Sequence, residues 1–206
     1  MRTKTGSTLL ALLTLLAAGL IAGCGDSDDD ASSSSSSSSA KVAGNGIDRA
    51  FVAGMVPHHE SAVEMAQIAE SEATSTFVKE LAADIKRTQT AEIAQMKRVD
   101  ADLEEAGIDT GELGVDDHME GMDTDIASLR GAKPFDDKFI ALMVPHHEGA
   151  LNMAKVEIDK GDNAELKKLA EHIIATQTKE ISEMRAHAGG DTGEMDHTEE
   201  DGGHSG

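Results

Sequence analysis

Two histidine pairs, His58-His59 and His146-His147, stand in the same setting, Met-Val-Pro-His-His-Glu. Methionines flank both: Met55 and Met65 around the first pair, Met143 and Met153 around the second. Imidazole suits copper, zinc, iron and nickel, whereas thioether sulfur selects the softer Cu(I). On a helix adjacent rings point ~100° apart, so the two rings of a pair do not readily share one ion. One ring is expected to face the neighbouring helix of its own half and the other the opposite half. The same geometry sets Met55 one turn from His59 and Met65 two turns from His58. Farther along, Glu92 and Glu180 fall within stripes of Leu, Ile and Met, with Gln89 and Gln177 at the edge. A carboxylate on an apolar face is costly unless paired or ligated. Each Glu is expected either to ligate a metal or to accept from a His N–H and so fix its tautomer. The alternative is a buried structural network, with Met as core filler. Recurrence of the whole set favours an ion.

Two more groups carry the same donors in polar surroundings: His118, Met119 and Met122, and Met195 with His197, near His187 and His204. The plain reading is solvated acidic loops. Met has no packing reason to recur there, however, and His with Met would suit an accessory, low-specificity copper-capture arm.

These donors must be positioned by something, and the chain supplies it twice. Asp48 to Ala66 aligns without gaps on Asp136 to Ala154, and Leu81 to Met96 on Leu169 to Met184, all at one offset of 88 residues. In the first stretch Phe51, Met55, His58, His59, Ala62, Met65 and Ala66 fall on one helical arc. In the second, Val78, Leu81, Ile85, Thr88, Glu92, Met96, Val99 and Leu103 form a stripe. Two amphipathic helices cannot bury their stripes alone, so two pairs should pack as an all-α four-helix bundle. Asp48 and Asp136 are expected N-caps. Pro57 and Pro145 should kink their helices or force a restart, freeing backbone groups near the His pairs. Residues 107–133 form an acidic connector with a short helical piece at Thr124 to Leu129, and 189–206 a polar tail.

With no Trp or Tyr and few Phe, a β-sandwich or barrel is disfavoured. The formal net charge of −21 argues against a nucleic-acid partner, which needs a basic footprint. Arg2 and Lys4 precede an apolar run from Leu9 to Ala22, too short for a membrane span and suited to a secretory signal, residues 1–23. Leu20-Ile21-Ala22-Gly23-Cys24 is similar to a lipobox, with the chain's single cysteine taking a lipid such as palmitate. The protein is then expected outside the cytoplasm, anchored to a membrane through that lipid. Residues 24–46, acidic and Ser-rich, would be its tether, and 47–188 the folded domain. With Cys24 acylated no thiolate remains, so a metal site must draw on His, Met and carboxylate.

The string Met-Val-Pro-His-His-Glu-x-Ala-x-x-Met-Ala, followed by Thr-Gln-x-x-Glu-Ile-x-x-Met, resembles the family called domain of unknown function 305 over Asp48 to about His187. The resemblance implies a ferritin-like fold and, because the family includes extracytoplasmic copper-binding members, a metal role for Met55, His58, His59, Met65, Met143, His146, His147 and Met153. The repeat departs from itself where Asp84 opposes His172, so a ligand role for His172 would exist in one half only. Copper binding for buffering, delivery or resistance is the leading expectation, with other divalent transition metals next. No nucleophile, P-loop or dinucleotide motif accompanies the donors, so turnover is not expected. A ferritin-like metal-dependent oxidoreductase and a metal-free structural or partner-binding lipoprotein stand as alternatives. Di-iron chemistry is disfavoured because the sole Glu-x-x-His, Glu194 to His197, sits in the tail.

Overall fold

The computed structural model describes residues 42–115 and 125–190. Cys24, His118, Met119, Met122, Met195 and His197 lie outside the described residues, as do the signal, most of the tether and the Glu194 to His197 motif. Among the described residues are four long helices and no strand: α1 (Gly46–Glu72), α2 (Thr76–Glu105), α3 (Phe135–Lys160) and α4 (Ala164–Gly190). A single 3-10 turn, Ile126–Leu129, takes up part of the expected connector helix and buries Leu129. No described helix is long and apolar enough to cross a membrane.

The helices form two hairpins, α1–α2 and α3–α4, that meet chiefly through α1 and α3. Phe51 and Met55, early in α1, share an apolar cluster with Met153 and Ala154, late in α3. Met65 and Ala69, late in α1, share the other cluster with Phe139 and Met143, early in α3. The two His-bearing helices therefore run antiparallel and cross near their middles. Each fully buried Phe or Met in these clusters contributes ~1.5–3 kcal/mol through loss of apolar surface to water.

The caps differ from expectation. Asn45, not Asp48, caps α1: its side chain accepts from the N–H of Ile47 at 2.8 Å and of Asp48 at 3.3 Å, and Asp48 completes a capping box by accepting from Asn45 N–H. Pro134 stands at the α3 cap position with no side-chain bond. Asp136 is instead committed elsewhere, accepting from Thr74 N–H (2.9 Å), Thr74 Oγ1–H (2.7 Å) and Ser75 N–H (2.7 Å) in the α1–α2 turn. Asp48 does the same in reverse, accepting from Asp162 N–H (3.1 Å) and Asn163 N–H (2.8 Å) in the α3–α4 turn. Each hairpin's aspartate thus closes the other hairpin's turn.

The prolines do not restart their helices. Pro57 and Pro145 sit inside continuous α1 and α3. The carbonyls they deprive of a donor, those of Ala53 and Ala141, belong to exposed residues, as the prolines themselves are, so water can serve them. The freed backbone groups therefore belong to the outer face rather than to the His pairs. At the other end, α4 extends to Gly190 and carries His187, whose ring stacks on Phe77 with centroids 4.4 Å apart.

Candidate metal centre

A buried polar layer crosses the middle of the bundle, between the two apolar clusters. α1 contributes His58 and His59, α2 Gln89 and Glu92, α3 His146 and His147, and α4 Gln177 and Glu180, all of them buried. In α1 the layer falls between Met55 of one cluster and Ala62 of the other; in α3 it falls between Met143 and Ala150.

Each helix pair solves the same problem. His59 Nε2 lies 2.9 Å from Glu92 Oε2, and His147 Nε2 lies 2.9 Å from Glu180 Oε2. A carboxylate oxygen can only accept, so Nε2 donates, and in the neutral imidazole the lone pair then sits on Nδ1. The Nδ1 atoms of His59 and His147 find no hydrogen-bond partner among the described residues, nor do the amide oxygens of Gln89 and Gln177. A buried acceptor without a donor costs ~1–3 kcal/mol, and here the cost is incurred symmetrically.

The other two imidazoles meet across the crossing of α1 and α3. The His58 and His146 ring centroids are 3.7 Å apart, and each lies farther from its own neighbour: 6.2 Å for His58 to His59 and 6.4 Å for His146 to His147. One ring of each pair thus faces its own hairpin and the other faces the opposite one. Burial, and then the proximity of His58, His147 and His59, hold the His146 pKa well below its ordinary value. The ring is neutral at physiological pH, the form that can donate a lone pair to a metal.

Thioethers bracket this layer on both sides. Met55, Met96 and Met153 are fully buried in one cluster, and Met65, Met143 and Met184 in the other. Met96 and Met184 had stood in the sequence only as stripe and motif residues, although each completes a trio of sulfurs. Gln89 and Gln177, placed at the stripe edge by periodicity, are inside it, while Thr88 is only half-buried. His172 is exposed, with its Nε2 3.9 Å from Glu92 Oε1. Among the described residues no three His, Cys, Asp or Glu side chains converge to hold a metal.

One buried pair escaped sequence reasoning. Glu157, fully buried, packs against Asp48. Burial first, then Asp48, raises its pKa to about 8, so at neutral pH it carries a proton. Gly161 makes room for it, since a Cβ there would collide with the Glu157 carboxyl.

The model of the family described as domain of unknown function (DUF305) matches residues 31–100 and 48–188. No curated protein matches the chain. Among solved structures, CopM in its Cu(I)-bound form is 32% identical with a TM-score of 0.59, covering 71% of this chain and 98% of CopM. CopM has also been solved with Cu(II) and with Ag bound. A DUF305 fragment from Deinococcus radiodurans is 30% identical with a TM-score of 0.58, covering 69% of this chain and 95% of its own. A Streptomyces coelicolor DUF305 protein, described as secreted, is 29% identical with a TM-score of 0.57, covering 68% and 88% respectively.

Proposed function

Because the chain belongs to the DUF305 family, we propose that it binds copper, as Cu(I), within the buried layer, and that it serves outside the cytoplasm in metal buffering, delivery or resistance. The observation that carries this reading is the pair of lone-pair nitrogens, His59 Nδ1 and His147 Nδ1, left without partners between two trios of buried thioethers. Such a donor set fits a soft monovalent ion and suits hard cations poorly. His58, His59, His146 and His147 would supply nitrogen; Met55, Met65, Met143 and Met153 would supply sulfur. Glu92 and Glu180 hold two of the rings in register and tune their basicity. The metal-bound forms of CopM support the choice of ion. We read the layer as a holder rather than a reaction centre, because its two glutamates, Glu92 and Glu180, are already engaged by imidazoles.

Export is supported by the charged, apolar and small-residue order of the first 24 residues and by the secreted relative. Acylation of Cys24 would then fix the domain to a membrane surface at the end of the tether. His118, Met119, Met122, Met195 and His197 would serve as an outer capture arm.

The test is competition for Cu(I) against a chromogenic chelator, using the full mature chain and a variant with all four motif histidines changed to Ala. Submicromolar binding lost in the variant is expected. Full affinity in the variant would move the site to the outer arm, and absence of binding by either protein would end the copper reading.

A further inference from the structure

A site this deep needs a way in, because an ion stripped of its ligands cannot cross an apolar core. One ladder of donors runs from solvent to the layer. The His172 side chain is 62% exposed, that of Glu92 is 9% exposed, and that of His59 is 0% exposed. Glu92 touches both imidazoles with different oxygens: Oε2 lies 2.9 Å from His59 Nε2, and Oε1 lies 3.9 Å from His172 Nε2. Around His172 the surface forms a shallow cleft lined by Gln95, Glu165, Lys168 and Leu169. Glu165 is occupied by Gln95 and Arg98, so it does not compete for a cation arriving at His172.

The mirror position lacks this ladder. Where His172 stands in the second hairpin, the first has Asp84, whose carboxylate is paired with Arg87 at 2.8 Å. Lys179 lies close enough to Glu180 and Asp84 for both to act on its charge. A cation approaching Glu180 from outside meets Lys179 and no imidazole, whereas the His172 cleft offers an imidazole beside its lysine, Lys168.

We propose that His172 and the outward oxygen of Glu92 form an entry site, where a metal ion is held at the surface before passing to the buried imidazoles, and that this route reaches only one of the two His–Glu pairs, His59 with Glu92. The inference rests on copper binding in the layer and adds the way it is reached. Imidazole with carboxylate is a sound transit pair: it replaces part of the hydration shell, yet lacks the sulfur that would retain Cu(I). The chain's formal net charge of −21 attracts cations to the protein as a whole.

The experiment mixes full-length protein with Cu(I) in acetonitrile-containing buffer and follows loading by rapid-mixing absorbance, with equilibrium affinity measured separately by chelator competition. His172→Ala, at an exposed position, should slow loading about tenfold, the low end of what local focusing supplies, and leave affinity and stoichiometry unchanged. Asp84→His, which places an imidazole beside Glu180, should speed loading, and in the His172→Ala background it should recover most of the lost rate. Loading rates unaffected by either substitution, with affinity intact, would overturn the entry site and leave the buried centre standing. Weakened equilibrium binding in His172→Ala would make His172 a resident ligand and also overturn it. No binding by the unsubstituted protein would remove the premise and the proposal together.

Discussion

The two hairpins of this protein are copies that have kept some positions and released others, and the division between kept and released follows physical function. The His–Glu contact is 2.9 Å in both. The thioether trios match position for position, and each aspartate grips the other hairpin's turn. Polar divergence includes the rim, where Asp84 opposes His172, and a buried spot, where Glu157 takes the place of Ala69. Positions that serve both the crossing and the layer are held by two demands at once. Positions that serve one side only were free to specialise.

The largest effect should come from breaking the shared centre. His58→Ala with His146→Ala removes the central imidazole pair, and Cu(I) affinity by chelator competition should fall by more than the ~10–100-fold typical of losing a supporting contact. A smaller loss would shift the centre toward the thioethers.

Next is the reciprocal grip. Asp136→Ala should destabilise by about 3 kcal/mol, from three hydrogen bonds to a carboxylate at ~1 kcal/mol or more each, or roughly 6–12 °C in Tm. Asp48→Ala should match it in direction. Burial alone would raise the Asp136 pKa, but the bonds from Thr74 and Ser75 outweigh it and hold the carboxyl below its ordinary value. That stabilisation is present above the unfolded pKa and is lost as pH falls through the folded one, which an acid melt of wild type against Asp136→Ala would reveal.

Third, Glu92→Gln and Glu180→Gln should each weaken Cu(I) binding by ~10–100-fold, because the amide orients its imidazole without raising its basicity. Equal losses would mean that the hairpins are equivalent at equilibrium; a deeper loss for Glu92→Gln would extend the rim asymmetry inward.

The smallest effect belongs to the buried difference. The raised Glu157 pKa means that its contribution is fully present below the unfolded value and is lost as pH climbs through about 8. Between pH 7 and pH 9 the wild type should lose about 1 kcal/mol that Glu157→Gln keeps. Parallel pH profiles by thermal melting would show that Asp48 and Glu157 do not share a proton.

Much of this was legible because the relevant forces are local and periodic. The 88-residue offset, the buried arcs and the Glu facing each histidine pair follow from helical spacing alone. The caps were not legible, because Asp48 and Asp136 answer to turns 114 and 62 residues away, and Asn45 is left to cap α1. Nor could the sequence choose between a kinked and a restarted helix at each proline, which depends on which side faces water. Glu157 escaped because the repeat offers Ala69 at its position, so nothing in the pattern marks a carboxyl buried against another.

The reciprocal aspartates carry an evolutionary consequence. A hairpin that offers an aspartate at the start of one helix and presents open N–H groups in its own turn is complementary to an identical hairpin, related by a two-fold axis through the His58–His146 contact. Two separate chains of this kind would satisfy one another as a symmetric dimer, with one imidazole pair from each. Fusion through residues 107–133 replaces a concentration-dependent encounter with an intramolecular one, and once the copies are joined, a substitution such as Asp84 can alter one rim without altering the other.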